Sequence, residues 1–224
     1  MPTDALINVN GDSVQALEIL FLTTVLMLLP SLIIVMTSFT RYVVVFSFLR
    51  NAMGTQQTPP NMVLVGMALI LTLFTMSPTL AEINEEAFVP YQNEEITQME
   101  FFDRAQAPLK RFMAHWAELQ SMELYCNISG VDAPANEEEV EALPLTVIVP
   151  AFVTSELKRA FITGFLLYIP FLLVDMLVAS TLMSMGMVML PPAMISTPFK
   201  LLLFILLDGW QLLFSTLVAG FSTG

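Results

Sequence analysis

Four long apolar stretches, separated by breaks of very different character, organise the chain. The first runs from about Leu17 to Phe39, with Glu18 at its edge and Pro30 inside. A membrane helix needs about 20 apolar residues, so this stretch predicts a span kinked at the proline. After Arg41 a further run, Tyr42–Leu49, is too short to cross a bilayer and reads as a continuation or an interfacial turn. The polar break Gly54–Asn61 contains Pro59-Pro60, and a second span follows over residues 62–78, ending at Pro78. Its shortness points to shelter by neighbouring protein rather than free lipid. The third and fourth spans are expected over residues 161–185 and 201–219.

Between Ala81 and Leu143 the pattern changes. Phe101, Phe102, Ala105, Leu109, Phe112, Met113, Trp116 and Leu119 recur at three- and four-residue steps, the mark of an amphipathic helix, kinked or interrupted at Pro108. Gly130–Pro144 reads as a flexible acidic connector. The pattern therefore predicts an all-α integral membrane protein with four hydrophobic spans in two helical hairpins, residues 1–80 and 144–224. They flank an acidic, largely helical extramembrane insert, residues 81–143.

Composition agrees with the membrane class. Hydrophobic residues make up 56% of the chain and charged ones 12%, against about 45–50% and about 25% in soluble domains. A net charge of −12 argues against nucleic acid, whose phosphates need clustered lysine and arginine. Cys126 stands alone, so there is no intrachain disulfide, and with His115 the only histidine no zinc-type grouping can form. No Ser/His/Asp grouping and no phosphate-binding glycine loop occurs, so no catalytic residue, cofactor or metal is expected. The first apolar stretch follows Asp4 and Asp12 without a base, which predicts no cleaved signal peptide. Placing the amino terminus outside puts Arg41, Arg50 and Lys200 in inside loops, against Lys158 and Arg159 outside. The positive-inside rule then favours an insert facing out.

Two features carry candidate chemistry. Met183, Met185, Met187 and Met189 occupy alternate positions before Pro191-Pro192, where the prolines should break regular structure. Thioether side chains fill irregular gaps and deform, as a seal must. Asp175 and Asp208 lie inside apolar spans. A carboxylate near a helix centre costs about 2.5–3.5 kcal/mol on insertion scales, so both should face protein or water. Asp208 is followed by Gly209, which permits close helix approach, and by Trp210, which carries one N–H donor. Interhelical hydrogen bonding is the role this suggests; proton relay in a solute carrier is the alternative.

Three blocks, TSFTRYVVVFSFLRNAMGTQQTPPN (Thr37–Asn61), PAFVTSELKRAFITGFLLYIPFLLVDM (Pro150–Met176) and GMVMLPPAMISTPFKLLLFILLDGW (Gly186–Trp210), together resemble the FliP family over nearly the whole chain. Pro150, Glu156, Lys158, Pro170, Pro198, Lys200 and Gly209 carry the motif. The resemblance implies a four-span, multi-pass subunit of the bacterial inner (cytoplasmic) membrane and flagellar basal body, without enzymatic activity. Several copies would join FliQ-like and FliR-like membrane subunits to form a channel for unfolded protein substrates, beside other export-apparatus proteins. Energy would come from an associated ATPase and the proton-motive force. It further implies a pore gasket at Met187, Val188 and Met189, with Met183 and Met185 beside it. Val188 stands where the family usually has methionine, and is stiffer. The Gly54–Asn61 break is similar to the flagellar branch; the alternatives are a virulence injectisome subunit and a proton-coupled membrane carrier.

Overall fold

The protein, a computed structural model, is described at residues 8–9, 12–13, 20, 23–24, 27, 30–32, 34–55, 57–134, 137–187 and 189–221. A two-residue antiparallel ladder, β1 (Asn8–Val9) with β2 (Asp12–Ser13), comes first. Helices α1 (Pro30–Met36), α2 (Phe39–Ala52) and α3 (Asn61–Ile83) follow. The insert holds α4 (Val89–Gln92), α5 (Gln98–Trp116), α6 (Leu119–Ser129) and α7 (Glu137–Ala142). Then come α8 (Leu145–Ser184), α9 (Pro192–Leu206) and α10 (Gly209–Ala219). The expected span 17–39 lies largely outside the described residues.

Tyr42–Leu49 is the body of α2, which lies at 81° to α1, so the run continues the first apolar stretch only across a sharp bend. Side chains take over from the backbone ladder at the corner. Thr40 Oγ1 donates to the Ile34 carbonyl at 2.6 Å, and the Phe39 N–H donates to Thr37 Oγ1 at 3.3 Å. The second span also departs from expectation. Pro78 does not end α3, which runs to Ile83 and continues through a π-helical turn, Asn84–Phe88, into α4. Proline removes one ladder bond, and an apolar helix with packed neighbours tolerates that loss.

The third span belongs to a longer helix. At about 1.5 Å per residue, the 40 residues of α8 extend about 60 Å, roughly twice a bilayer's hydrocarbon thickness. Its first half packs Val147, Ile148, Ala151 and Phe152 against Met113 of α5 and against Met122 and Cys126 of α6. Its second half, from Ala160 on, joins a separate core with Tyr42, Phe46 and Leu49 of α2, Phe204 of α9 and Leu213 of α10. The expected start near Phe161 thus marks where α8 leaves the insert, not where the helix begins. Pro108 likewise lies buried inside a continuous α5. That helix opens with a capping box in which Glu100 accepts from the Thr97 N–H at 2.7 Å. This bond, with help from the Thr97 hydroxyl, holds the Glu100 carboxyl below its ordinary range.

Helices α2 and α8 run parallel, since Arg41 meets Glu156 and, further along, Phe48 meets Phe161 and Gly164. A side chain at Gly164 would put its Cβ 2.5 Å from Phe48 Cγ, so the glycine permits the close approach. Helices α3 and α9–α10 return alongside, which puts the insert at one end of the molecule and both hairpin turns at the other. The fourth span is not one helix: α9 and α10 meet at 63° across Leu207-Asp208. Asp208 takes a left-handed backbone, φ 47°. With no Cβ on Gly209, the Phe204 ring folds over the break; a Cβ there would lie 2.2 Å from Phe204 Cε2. Helices α3–α4 and α8 are each long and apolar enough to cross a membrane, and each bent pair, α1–α2 and α9–α10, would add a third and a fourth.

Candidate functional site

Two buried charge clusters and one exposed turn bring together most of the residues singled out in the sequence. Glu156 sits at the insert end, wholly buried. It accepts from Arg41 Nε at 2.7 Å and Nη2 at 2.5 Å, a bidentate fork, and from Arg159 Nη1 at 3.3 Å. The Arg41 guanidinium lies 3.6 Å over the Phe221 ring, and Trp116 packs edge-on against the same ring. Arg159 also donates to the Trp116 carbonyl. One carboxylate therefore ties together α2, the insert, α8 and the segment after α10. Nearby, Lys158 pairs with Glu118 at 2.6 Å on the surface, where such a pair contributes little.

This placement corrects the orientation argument. Arg41 stands with Lys158 and Arg159 at the insert end, not with Arg50 and Lys200 at the turns. The chain bends at Thr37-Ser38, and α2 carries it from the insert end toward the turns. The three-to-two count reverses, and basic residues no longer speak for an outward insert.

The second cluster lies on the turn side of the apolar core. Lys200 Nζ, buried, donates to Asp175 Oδ2 at 2.6 Å and to the Ala52 carbonyl at 3.0 Å. Asp175 Oδ1 accepts from the hydroxyl of fully buried Ser196 at 2.5 Å. The ammonium thereby caps the carboxyl end of α2 while neutralising the acid on α8. Asp175 makes a polar contact within the subunit; Asp208 does not. Its carboxylate is exposed and, among the described residues, accepts no hydrogen bond, because the chain breaks there and turns it outward. Trp210 packs edge-on to Phe204, with ring centroids 5.2 Å apart. Pro150, Pro170 and Pro198 sit inside helices α8 and α9. Pro170 and Gly209 border an apolar cavity of about 270 Å³ between α8 and the broken pair.

At the far end of α8 the backbone closes in a Schellman motif. The Gly186 N–H donates to the Met183 carbonyl and the Met187 N–H to the Leu182 carbonyl, both at 3.0 Å, with Gly186 at φ 77°. The helix is thus stopped by glycine; Pro191 and Pro192 instead start α9, at its N-cap and first position. Met183, Met185, Met187 and Met189 are all exposed, Met189 at 98%. Val188 lies outside the described residues. Among the described residues no group of acids, histidine and cysteine is placed to hold a metal ion.

Arg41, Phe221 and Ser196 were missed from sequence. Only the Arg41 signal was available there, as a lone base at the start of an apolar run, in need of an acid somewhere in the fold.

Comparison with known proteins bears on this arrangement. The sequence model of the FliP family matches residues 22–217. Flagellar biosynthetic protein FliP of Bacillus subtilis is 49% identical over 207 residues, covering 92% of each chain. The Aquifex aeolicus protein of that name is 47% identical over 212 residues, 95% of this chain and 88% of its own. The Caulobacter vibrioides protein is 45% identical over 223 residues, 97% and 83% of the two chains.

Proposed function

Because the chain belongs to the FliP family, we propose that it is a subunit of the flagellar protein export gate in the bacterial inner membrane. Several copies, with FliQ-like and FliR-like subunits, form a channel through which unfolded proteins leave the cytoplasm. The subunit performs no bond chemistry; its task is to seal and to yield. The observation that supports this is the α8–α9 turn. Apolar thioethers stand exposed there, on a backbone fixed by the Schellman motif and on a base pinned by the Asp175–Lys200 pair. A ring of such turns from several copies would exclude water, and each side chain has several rotatable bonds with which to deform around a passing polypeptide.

The test is electrical. Complexes carrying Met187→Ala with Met189→Ala should assemble at the parent's yield and, in sealed vesicles, conduct small ions. Assembled complexes as tight as the parent would place the seal elsewhere.

The proposed orientation, which rests on the family reading and not on the basic residues, puts the turns on the cytoplasmic face and the acidic insert outside. Cys126 is a poor reporter, being buried in the insert core, where burial pushes its thiol above the ordinary value. A cysteine at exposed Asp132 (Asp132→Cys) serves instead. An impermeant thiol reagent should label it in intact spheroplasts, with little background from Cys126. Labelling that appears only after membrane disruption reverses the orientation.

A further inference from the structure

The outer ridge of α10 is polar. Asp208, Gln211 and Ser215 follow one another at steps of three and four, so they share one side of the helix, and all three are exposed. The opposite ridge, Leu213 and Leu217, is buried in the apolar core. Exposed leucines border the polar residues, Leu206 and Leu207 before them and Leu212 beside them. The ridge belongs to the apolar stretch 201–219, between the Lys200 cluster at one end and the Arg41–Phe221 contact at the other. An acid inside such a stretch is costly toward lipid and must meet protein or water. Yet the Asp208 carboxylate does not turn back to cap α10 and, among the described residues, accepts no hydrogen bond. Ser215 donates its proton to the Leu212 carbonyl at 3.0 Å, which leaves its oxygen free to accept.

We infer that this ridge docks a membrane helix of a different subunit, one with a lysine or arginine inside its apolar span, and that Asp208 is the counter-charge of that base. Charge complementarity selects the occupant. The ridge is rich in acceptors: the two Asp208 oxygens, the Ser215 oxygen and the Gln211 amide carbonyl. A second copy of this chain has no cation to give there. Of the eight lysines and arginines, Arg41 and Arg159 hold Glu156, Lys200 is buried on Asp175, and Lys158 pairs with Glu118. Arg104, Lys110 and Arg111 belong to α5 in the insert, and Arg50 is bound to Asn61 at the first hairpin turn. The ridge is also narrow, with one polar side chain per turn between leucines. That shape fits the seam between two helices rather than the wall of an aqueous channel. A base within a partner's apolar span is under the same constraint as Asp208, and pairing neutralises both. This inference rests on the export-gate reading, which supplies the other membrane subunits.

Three measurements on the complex purified from membranes test it. Asp208→Asn removes the charge, and asparagine tolerates the left-handed backbone of this position. The chain should accumulate at the parent's level, since the carboxylate has no polar partner among the described residues of its own subunit. Recovery of the other membrane subunits with it should fall by about tenfold or more. Unchanged recovery of those subunits, or loss of the chain itself, overturns the inference. Independently of that variant, a benzophenone amino acid in place of Gln211 should cross-link under light to an apolar segment of another subunit that contains a lysine or arginine. Cross-linking to a second copy, or to lipid alone, overturns it. A cysteine at the same place, Gln211→Cys, should stay unmodified by a water-soluble thiol reagent in the intact complex; modification would make the ridge a channel wall. The two failures are separable. If the parent chain brings down no other membrane subunit, the export-gate reading falls; if it does and the ridge fails these tests, this inference alone falls.

Discussion

Replacing Glu156 with alanine should abolish accumulation of the folded subunit in the membrane. The carboxylate is fully buried and takes three hydrogen bonds from two guanidinium groups. Its removal strands the guanidinium of Arg41, a residue 6% exposed, against the Trp116 and Phe221 rings. Breaking one side of a buried pair costs about 3–5 kcal/mol, a large part of the roughly 5–15 kcal/mol that holds a typical fold together. For protein that can be purified, that loss corresponds to a melting temperature lower by about 6–20 °C. Glu156→Gln keeps the shape and one acceptor oxygen and should fall between parent and alanine variant. Replacing both partners, Arg41→Leu with Glu156→Leu, should recover much of the loss, since an apolar pair of similar bulk needs no counter-charge. An alanine variant that melts with the parent would mean the pair carries no stability at all.

At the other end of the core, Lys200→Met should lower the yield of assembled complex, by less than Glu156→Ala does. The Asp175 side chain it strands is 34% exposed and retains the Ser196 hydroxyl, so water and one donor remain to it. The expected loss is that of one hydrogen-bonded charge contact, about 1.5–3 kcal/mol. Asp175→Asn should be the more harmful of the two single changes. It leaves an ammonium whose side chain is only 5% exposed facing a neutral amide, with the Ala52 carbonyl as its remaining strong acceptor. The electroneutral double variant, Asp175→Asn with Lys200→Met, should recover yield above either single one. The series also separates two classes of function. In an export gate held in shape by this pair, the double variant regains export along with assembly. In a proton-coupled carrier it assembles and stays inactive, because asparagine cannot cycle a proton. Recovery of assembly without export would sink the structural role of Asp175.

Much of this molecule is written locally. Run length and hydropathy are properties of adjacent residues, and they announce a membrane protein before any contact is known. The amphipathic spacing from Phe101 to Leu119 and the acid-rich composition around it likewise mark out the insert. Glycine and proline act on their own peptide units, so a break between residues 183 and 192 was legible, although glycine and not proline ends the helix. The long motifs around Glu156, Lys200 and Gly209 carried the family resemblance.

The rest required the three-dimensional arrangement. That α2 is a helix of its own depends on side chains at the Thr37–Thr40 corner taking the place of backbone bonds. That α8 runs 40 residues without a break depends on two different cores covering its two halves. The break at Asp208 is held by the Phe204 ring lying against a glycine. Above all, the partners of the buried charges are far apart in the chain: Arg41 and Glu156 by 115 residues, Asp175 and Lys200 by 25. Local propensity has no term for such pairings. An apolar interior excludes water, so a buried charge must find its counter-charge wherever the packing of helices brings one within reach.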